Sequence, residues 1–194
     1  MQAHRIIRVA ALTALALVFG ERAATAVTIN FDTQNFGDLV TTQYPEVTFS
    51  ADPGYETSAM VTTTTTSPPV FICSRPVGGG FPACENETIL DFTNPVYNLT
   101  FKSVGTNNSG VVAKVDVQTT YLNGPVTVNI FKSPNLIDLS SFGTITRIRI
   151  HSINDHLGIG WDDFSFDVVP EPGSAGLMIL GGFGLITRKK GRVV

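Results

Sequence analysis

Short runs of β-branched and aromatic residues recur from Val27 to Val168, and turn-forming Gly, Pro and Asn residues separate them. Such runs are typical of β-strands, and no stretch here has the period of a useful amphipathic helix. The pattern predicts strands over Val27–Phe31, Val47–Ser50, Ser58–Thr65, Val70–Cys73, Thr88–Phe92, Tyr97–Ser103, Val111–Thr120, Val126–Phe131, Ile145–His151 and Ile159–Val168.

Several runs alternate apolar and polar positions, as half-buried antiparallel strands do. The turn Asn123-Gly124-Pro125 between two runs predicts a hairpin, because Asn-Gly pairs supply positive φ angles. The sequence therefore predicts a single all-β sandwich over residues 27–168. Three sets of side chains are each expected to share a face: Val111, Ala113, Val115 and Val117; Thr146, Ile148 and Ile150, opposite Ile145, Arg147 and Arg149; and Asp162, Phe164, Phe166 and Val168.

The first 26 residues have the three parts of a secretory signal peptide. Arg5 and Arg8 precede the apolar stretch 9–20, and Ala24-Thr25-Ala26 is a small-x-small cleavage site. The apolar stretch is short for an ordinary membrane span. We expect export through the Sec translocon and removal of residues 1–26 by signal peptidase; the alternative is an uncleaved anchor helix.

Residues 169–194 also consist of three consecutive parts. Pro170, Glu171 and Pro172 form an extended spacer, and the uncharged stretch 173–187 follows them. A helix of that length is shorter than the hydrocarbon core of a bilayer, so it suits a temporary anchor. The chain then ends in a cationic group that would stay in the cytoplasm, made of Arg188, Lys189, Lys190 and Arg192.

This order of parts resembles the PEP-CTERM sorting tail of Gram-negative bacteria. The resemblance covers the last eighth of the chain and implies processing by exosortase, a membrane protease-transferase. It implies a precursor tethered to the inner membrane, then a protein of the cell surface or the extracellular space. Many proteins with such tails are associated with exopolysaccharide or biofilm.

The body resembles the jelly-roll sandwiches found in PEP-CTERM proteins and in carbohydrate-binding modules. The resemblance implies a jelly-roll-like fold and says little about activity. It rests on four segments: Ile29–Asp32, Tyr44–Phe49, Phe92–Val96 and Gly158–Phe166.

The charge of the body narrows the range of partners. The whole chain of 194 residues has a formal charge of −3, but its basic residues cluster at the two ends. Between Val27 and Pro172, six basic residues face fifteen acidic ones, a balance near −9. An acidic body argues against nucleic-acid binding and is compatible with a divalent cation or a neutral sugar.

Cys73 and Cys84 are the only cysteines, and both lie in the body. Outside the cytosol they are expected to form a disulfide across a Gly/Pro-rich loop. The alternatives are two reduced thiols or a metal site, and the absence of a nearby His or a second Cys pair argues against zinc.

Asp32, Asp162 and Asp163 form a candidate metal site. Alternation places Asp162 on the core face, where an ionised carboxylate needs a partner. If the first and last strands are neighbours, Asp32 approaches Asp162, and Ca²⁺ would satisfy both. The resemblance to calcium-holding carbohydrate-binding jelly rolls points to the same positions. The alternative is an exposed Asp beside one that accepts a backbone hydrogen bond, and parity turns Asp32 away unless it lies beyond its strand.

Aromatic and histidine side chains supply the remaining candidates. Trp161 is opposite in parity to Phe164, so it would face solvent and could stack on a sugar; the alternative is a second core layer. His151 and His156 flank a polar loop that lacks an evident nucleophile. Other aromatic candidates are Tyr44, Tyr55, Tyr97 and Tyr121.

The expected function is that of a non-catalytic surface or matrix protein that contacts exopolysaccharide. The alternatives are a small secreted polysaccharide hydrolase and a purely structural matrix protein. A hydrolase would need two carboxylates facing each other across a groove, and a binding module would need exposed aromatic rings.

Overall fold

A computed structural model describes residues 24–61, 70–78, 84–106, 110–132, 135–155 and 158–168. From Thr25 onward they belong to one compact unit, Thr25–Val169. The predicted signal peptide, the Pro-Glu-Pro motif, the apolar stretch and the basic end lie outside the described residues. Within the described ranges, no helix is long and apolar enough to cross a membrane.

The described residues form ten strands and one short 3₁₀ turn, so the all-β prediction is confirmed. The turn, Ser140–Phe142, lies between β8 and β9. The strands are β1 (Thr25–Ile29), β2 (Val47–Ser50), β3 (Tyr55–Val61), β4 (Val70–Pro76), β5 (Thr88–Val104), β6 (Val111–Thr119), β7 (Val126–Phe131), β8 (Leu136–Asp138), β9 (Ile145–His151) and β10 (Gly160–Val168).

Most of the predicted strands lie where they were expected. Val47–Ser50, Val126–Phe131 and Ile145–His151 are confirmed to the residue. The two runs predicted over 88–92 and 97–103 are one long strand, β5. The short strand β8 was missed, because three residues are too few for a detectable alternation.

The strands join into one antiparallel sheet that is sandwich-like. Its longest strand, β5, has different neighbours along its first and second parts. The first part of β5 pairs with β2 and β9, and its second part pairs with β10 and β8. The register with β9 breaks between Asp91 and Val96, where Pro95 cannot donate a ladder hydrogen bond. The path of neighbouring strands is β3-β4-β10-β5-β9-β6-β7.

The first strand lies beside the last, which is the condition that the candidate metal site required. β1 pairs antiparallel with β10 from Thr25↔Val168 to Ile29↔Phe164. β4 contacts β10 on the same side, with Trp161 opposite Ile72. This pairing brings the segment after β1 towards the start of β10, which is where the candidate carboxylates lie.

Aromatic side chains fill much of the hydrophobic core. Phe164 stacks on Phe101 with ring centroids 5.1 Å apart, and it meets Phe31 and Phe49 edge-on at 6.1 Å and 6.0 Å. All four rings are fully or almost fully buried. Each such ring stabilises the fold by about 1.5–3 kcal/mol through burial, and the ring geometry adds to that.

Strict alternation holds for part of each strand and fails at bulges. In β9, Ile148 and Ile150 are buried and Arg147 and Arg149 are exposed, as predicted, but Ile145 is also buried. The register of β6 against β9 shifts at the end facing Ile145, which resets the face there. The predicted face of β6 is wrong at its start, because a shift beyond Val111 puts Val112 in the core with Ala113.

Candidate cation site

A β-bulge in β10 positions the candidate carboxylates. In the register of the two strands, Asp162 lies opposite Lys102 and Ser165 lies opposite Thr100. Between these two positions, β10 therefore has one residue more than β5. Asp163 is part of this bulge and has a φ of 50°. Asp tolerates this conformation better than most residues do. The bulge leaves Asp162 only 3% exposed.

The same bulge decides the position of Trp161. Without it, Trp161 and Phe164 would point to opposite faces, which is why the sequence suggested an exposed ring. With one extra residue between them, both side chains enter the core, and the Trp161 ring lies edge-on to Phe101 at 6.0 Å. Trp161 has no exposed surface, so its ring cannot stack on a sugar in this structure. The structure therefore shows the core alternative at this position.

The Asp162 carboxyl group has an unfavourable environment for a negative charge. Burial is the largest cause and raises its pKa, while the hydrogen bond from the Asp163 amide, 2.7 Å from Oδ1, lowers it. The negative charges of Asp163 and Asp32 raise the pKa further, and the Lys102 ammonium opposes them. The resulting pKa is about 6, against an ordinary value of 3.8.

Asp32 lies beyond the end of β1, as the cation hypothesis required. β1 ends at Ile29, so the parity that would have turned Asp32 outward does not apply. Its Oδ1 atom is buried and has no hydrogen-bond partner among the described residues. Both Asp32 and Asp162 raise the pKa of the nearby Tyr44 hydroxyl, after burial, which is the largest cause. The charges of Asp32 and Asp162 therefore act on the same hydroxyl group and on each other. Within the described part of the chain, the Asp32 Oδ1 atom remains unpaired near the ends of β1 and β10.

Neutral oxygens also line this place. The Tyr44 hydroxyl lies 3.2 Å from the carbonyl oxygen of Asn30, to which it donates a hydrogen bond. The Tyr44 ring packs edge-on against Phe31 at 5.7 Å, which holds the hydroxyl at the rim of the core. Gln34 also hydrogen-bonds Tyr44, which opposes the effect of burial and lowers the pKa of the hydroxyl. A hard cation prefers carboxylate, carbonyl and amide oxygens of this kind.

Asp163 is engaged elsewhere. Its Oδ2 atom accepts a hydrogen bond from the Lys102 ammonium at 2.7 Å, and this ion pair raises the pKa of Lys102. Two of the three predicted metal residues, Asp32 and Asp162, thus come together, and the third is paired with a lysine. Within the part of the chain that the structure describes, no group of three or more His, Cys, Asp or Glu side chains could hold a metal ion. Any cation here would depend on two carboxylates and neutral oxygens.

The predicted disulfide is present. Cys73 in β4 and Cys84 are joined, with their Cα atoms 5.3 Å apart, and both side chains are buried. Met60 packs with them in a small second cluster, and Phe71 covers it. The Ile159 amide donates to the Cys84 carbonyl at 2.9 Å, so the disulfide also fixes the chain that leads into β10.

A second polar cluster, which the sequence analysis missed, lies on the outer face of β6 and β9. His151 Nε2 is 3.2 Å from Asp116 Oδ1, and Thr127 donates to the same oxygen at 2.6 Å. Burial would raise the pKa of Asp116, but the hydrogen bond from Thr127 and the contact with His151 outweigh it and lower the pKa. Asp116 and His151 are far apart in sequence, so only the strand pairing could reveal their contact. His156 lies outside the described residues.

The remaining aromatic candidates differ in exposure. Tyr121 is 83% exposed in the turn after β6, and Tyr55 is 37% exposed at the start of β3. Tyr44 and Tyr97 are half-buried. The four side chains belong to different segments of the described chain, and Tyr121 is the most exposed of them.

No protein-family model matches this chain, and no curated protein matches it.

Proposed function

We propose that this chain is an exported protein of the cell surface or extracellular matrix of a Gram-negative bacterium, sorted by exosortase, with a β-sandwich that is not catalytic. The observation that carries the proposal is the Pro170-Glu171-Pro172 motif, followed by an apolar stretch and a basic end, on a chain with a leader of signal-peptide type. The buried disulfide supports it, because such bonds persist in oxidising compartments.

β1 begins two residues before the proposed mature N-terminus, and its pairing is compatible with cleavage there. Cleavage after Ala26 would remove the first two residues of β1 and leave Val27↔Phe166, Thr28↔Ser165 and Ile29↔Phe164 paired with β10. Those three pairs include the buried Ile29, so the mature chain would keep the apolar end of the strand.

The tail can be tested by cell fractionation. Deleting Gly173–Val194 should release the body into the periplasm or medium, because the proposed anchor and basic stop are gone. The matched control replaces Pro170, Glu171 and Pro172 by Ala and keeps the apolar stretch; it should stay in the membrane as an unprocessed precursor. Unchanged membrane retention of the deletion variant would refute the anchor.

We propose that the sandwich is of the jelly-roll type and that Asp32 and Asp162 hold a structural cation, with Ca²⁺ the first candidate. The side-by-side position of β1 and β10 supports the first statement. The unsatisfied Asp32 Oδ1 atom and the raised pKa of Asp162 support the second, because a divalent cation would remove both penalties.

Exopolysaccharide contact is the proposed role of the exported body. A glycan array probed with the body, with and without EDTA, separates this role from the alternatives. Binding that EDTA abolishes supports a cation-linked binding module. Release of cleaved sugar supports a polysaccharide hydrolase, and the absence of any signal supports a purely structural matrix protein.

A further inference from the structure

The hairpin between β6 and β7 exposes an asparagine that precedes a glycine. Residues 120–125 connect the two strands, and every one of them is exposed. The amides of Tyr121 and Leu122 lie 3.4 Å and 3.3 Å from the Thr119 hydroxyl oxygen, which anchors the first half of the loop. Asn123 and Gly124 form the second half, and Gly124 has a φ of 132°.

Asn123 and Gly124 lack the contacts that would hold them. Within the described ranges, neither the Asn123 side chain nor the Gly124 amide takes part in a hydrogen bond. A Cβ atom placed on Gly124 would meet nothing within 4 Å, so the loop has open space around the peptide bond. Glycine also leaves the backbone free to rotate, since it has no side chain to restrict φ and ψ.

We propose that Asn123 is a site of spontaneous, time-dependent deamidation in the folded protein. The Gly124 amide nitrogen loses its proton to hydroxide and attacks the Asn123 side-chain carbon. A nitrogen–carbon bond forms and the Cγ–Nδ2 bond of the side chain breaks; the leaving nitrogen takes a proton from water and departs as ammonia, which regenerates hydroxide and leaves a five-membered succinimide. Water then opens the ring at either carbonyl, so the product is aspartate or isoaspartate, and no oxidant or cofactor is required.

Two other asparagines provide comparisons within the same chain. The Asn98 amide donates to Asp167 Oδ2 at 2.8 Å, and the next residue, Leu99, is fully buried in β5. The Asn35 amide donates to Asp38 Oδ2 at 3.1 Å, and Phe36 follows it. Both side chains are held, and both are followed by a bulky residue that hinders ring closure. The structure therefore assigns the reaction to Asn123 ahead of these two.

The modification would change a sheet edge. β7 pairs only with β6 among the described strands, and their last pair before the loop is Val117↔Val126. Either product adds a negative charge to an already acidic body, and isoaspartate also adds one backbone carbon to the loop. The modified fraction of the β6–β7 hairpin would therefore increase with the age of the protein.

The test incubates the folded full chain in mildly alkaline buffer and maps its peptides by mass spectrometry at intervals. Methyl transfer by an isoaspartyl methyltransferase serves as an independent probe of the isoaspartyl product. We expect progressive loss of the Asn123 amide, with Asn35 and Asn98 unchanged, and loss of the methyl-transfer signal in N123Q. Because residue 123 is exposed in a loop, N123Q should fold normally, and its circular dichroism checks this.

Two results would overturn the proposal. The first is an intact Asn123 in the folded chain over a time in which the urea-unfolded chain loses its amide, because the folded turn would then protect the site. The second is equal modification of Asn123, Asn35 and Asn98, because the structure would then select nothing.

Discussion

Replacing Asp162 by Asn should stabilise the cation-free protein at neutral pH. The carboxyl group has a pKa of about 6 in the folded protein and an ordinary value of 3.8. Folding therefore favours its protonated form, and the contribution of this group to stability falls as the pH rises through this window. Asparagine keeps a carbonyl oxygen that can accept the hydrogen bond from the Asp163 amide, but it carries no charge.

The size of the effect follows from the pKa. A shift of about two units corresponds to about 3 kcal/mol of stability that is lost between about pH 4 and pH 6. The asparagine variant avoids this loss, but burying an incompletely hydrogen-bonded amide costs about 1–2 kcal/mol. We therefore expect D162N to raise the free energy of unfolding by about 1–2 kcal/mol at pH 7, and to lower it by about 1 kcal/mol at pH 4, where the wild-type carboxyl group is protonated.

The assay is urea unfolding of wild type and D162N at several pH values in the presence of EDTA. The matched control is D163N, which changes the adjacent residue, keeps a side chain that tolerates the φ of 50°, and removes the exposed Lys102 pair together with the repulsion that Asp163 exerts on Asp162. An exposed pair of this type contributes at most about 1 kcal/mol, and repulsion by Asp163 is a smaller cause of the raised pKa than burial, so D163N should show a smaller gain than D162N as the pH rises.

Added Ca²⁺ extends the experiment to the proposed cation. It should stabilise wild type above about pH 6, where Asp162 is ionised, and should leave D162N nearly unchanged. A difference between wild type and D162N that does not vary with pH, or a D162N variant that is less stable at pH 7 without cation, would refute the reasoning about Asp162.

Two further predictions concern the disulfide and the glycine beside it. The double variant C73A/C84A should unfold about 2–3 kcal/mol more easily, because the bond restricts the unfolded chain; an unchanged urea midpoint would contradict this. G158A should be destabilised by more than about 2 kcal/mol, because its Cβ would lie 2.5 Å from the Cys84 backbone nitrogen and its φ is +76°. The control G54A has a φ of +90° but open space, so it should cost only about 1 kcal/mol, and equal thermal shifts for the two variants would disprove the backbone contact.

The sequence by itself determined the class of the fold and most of its strands. A run such as Val126–Phe131 carries its own signal, because β-branched residues and flanking turns act within a few positions. The disulfide was equally accessible, since the chain has two cysteines and the expected export would leave them only each other as partners. The proximity of the Asp32 and Asp162 segments was a hypothesis that depended on the resemblance to jelly rolls, and the pairing of β1 with β10 established it.

The tertiary structure alone decided which side chains those strands bury at their irregular points. The extra residue at Asp163 reverses the face of everything before it, so Trp161 lies in the core beside Phe101 and not on the surface. A bulge forms because a partner strand sets the register, and the sequence of β10 does not contain that partner. The Asp116–His151 contact depends in the same way on the pairing of β6 with β9, because side chains from distant segments meet only when the sheet aligns them.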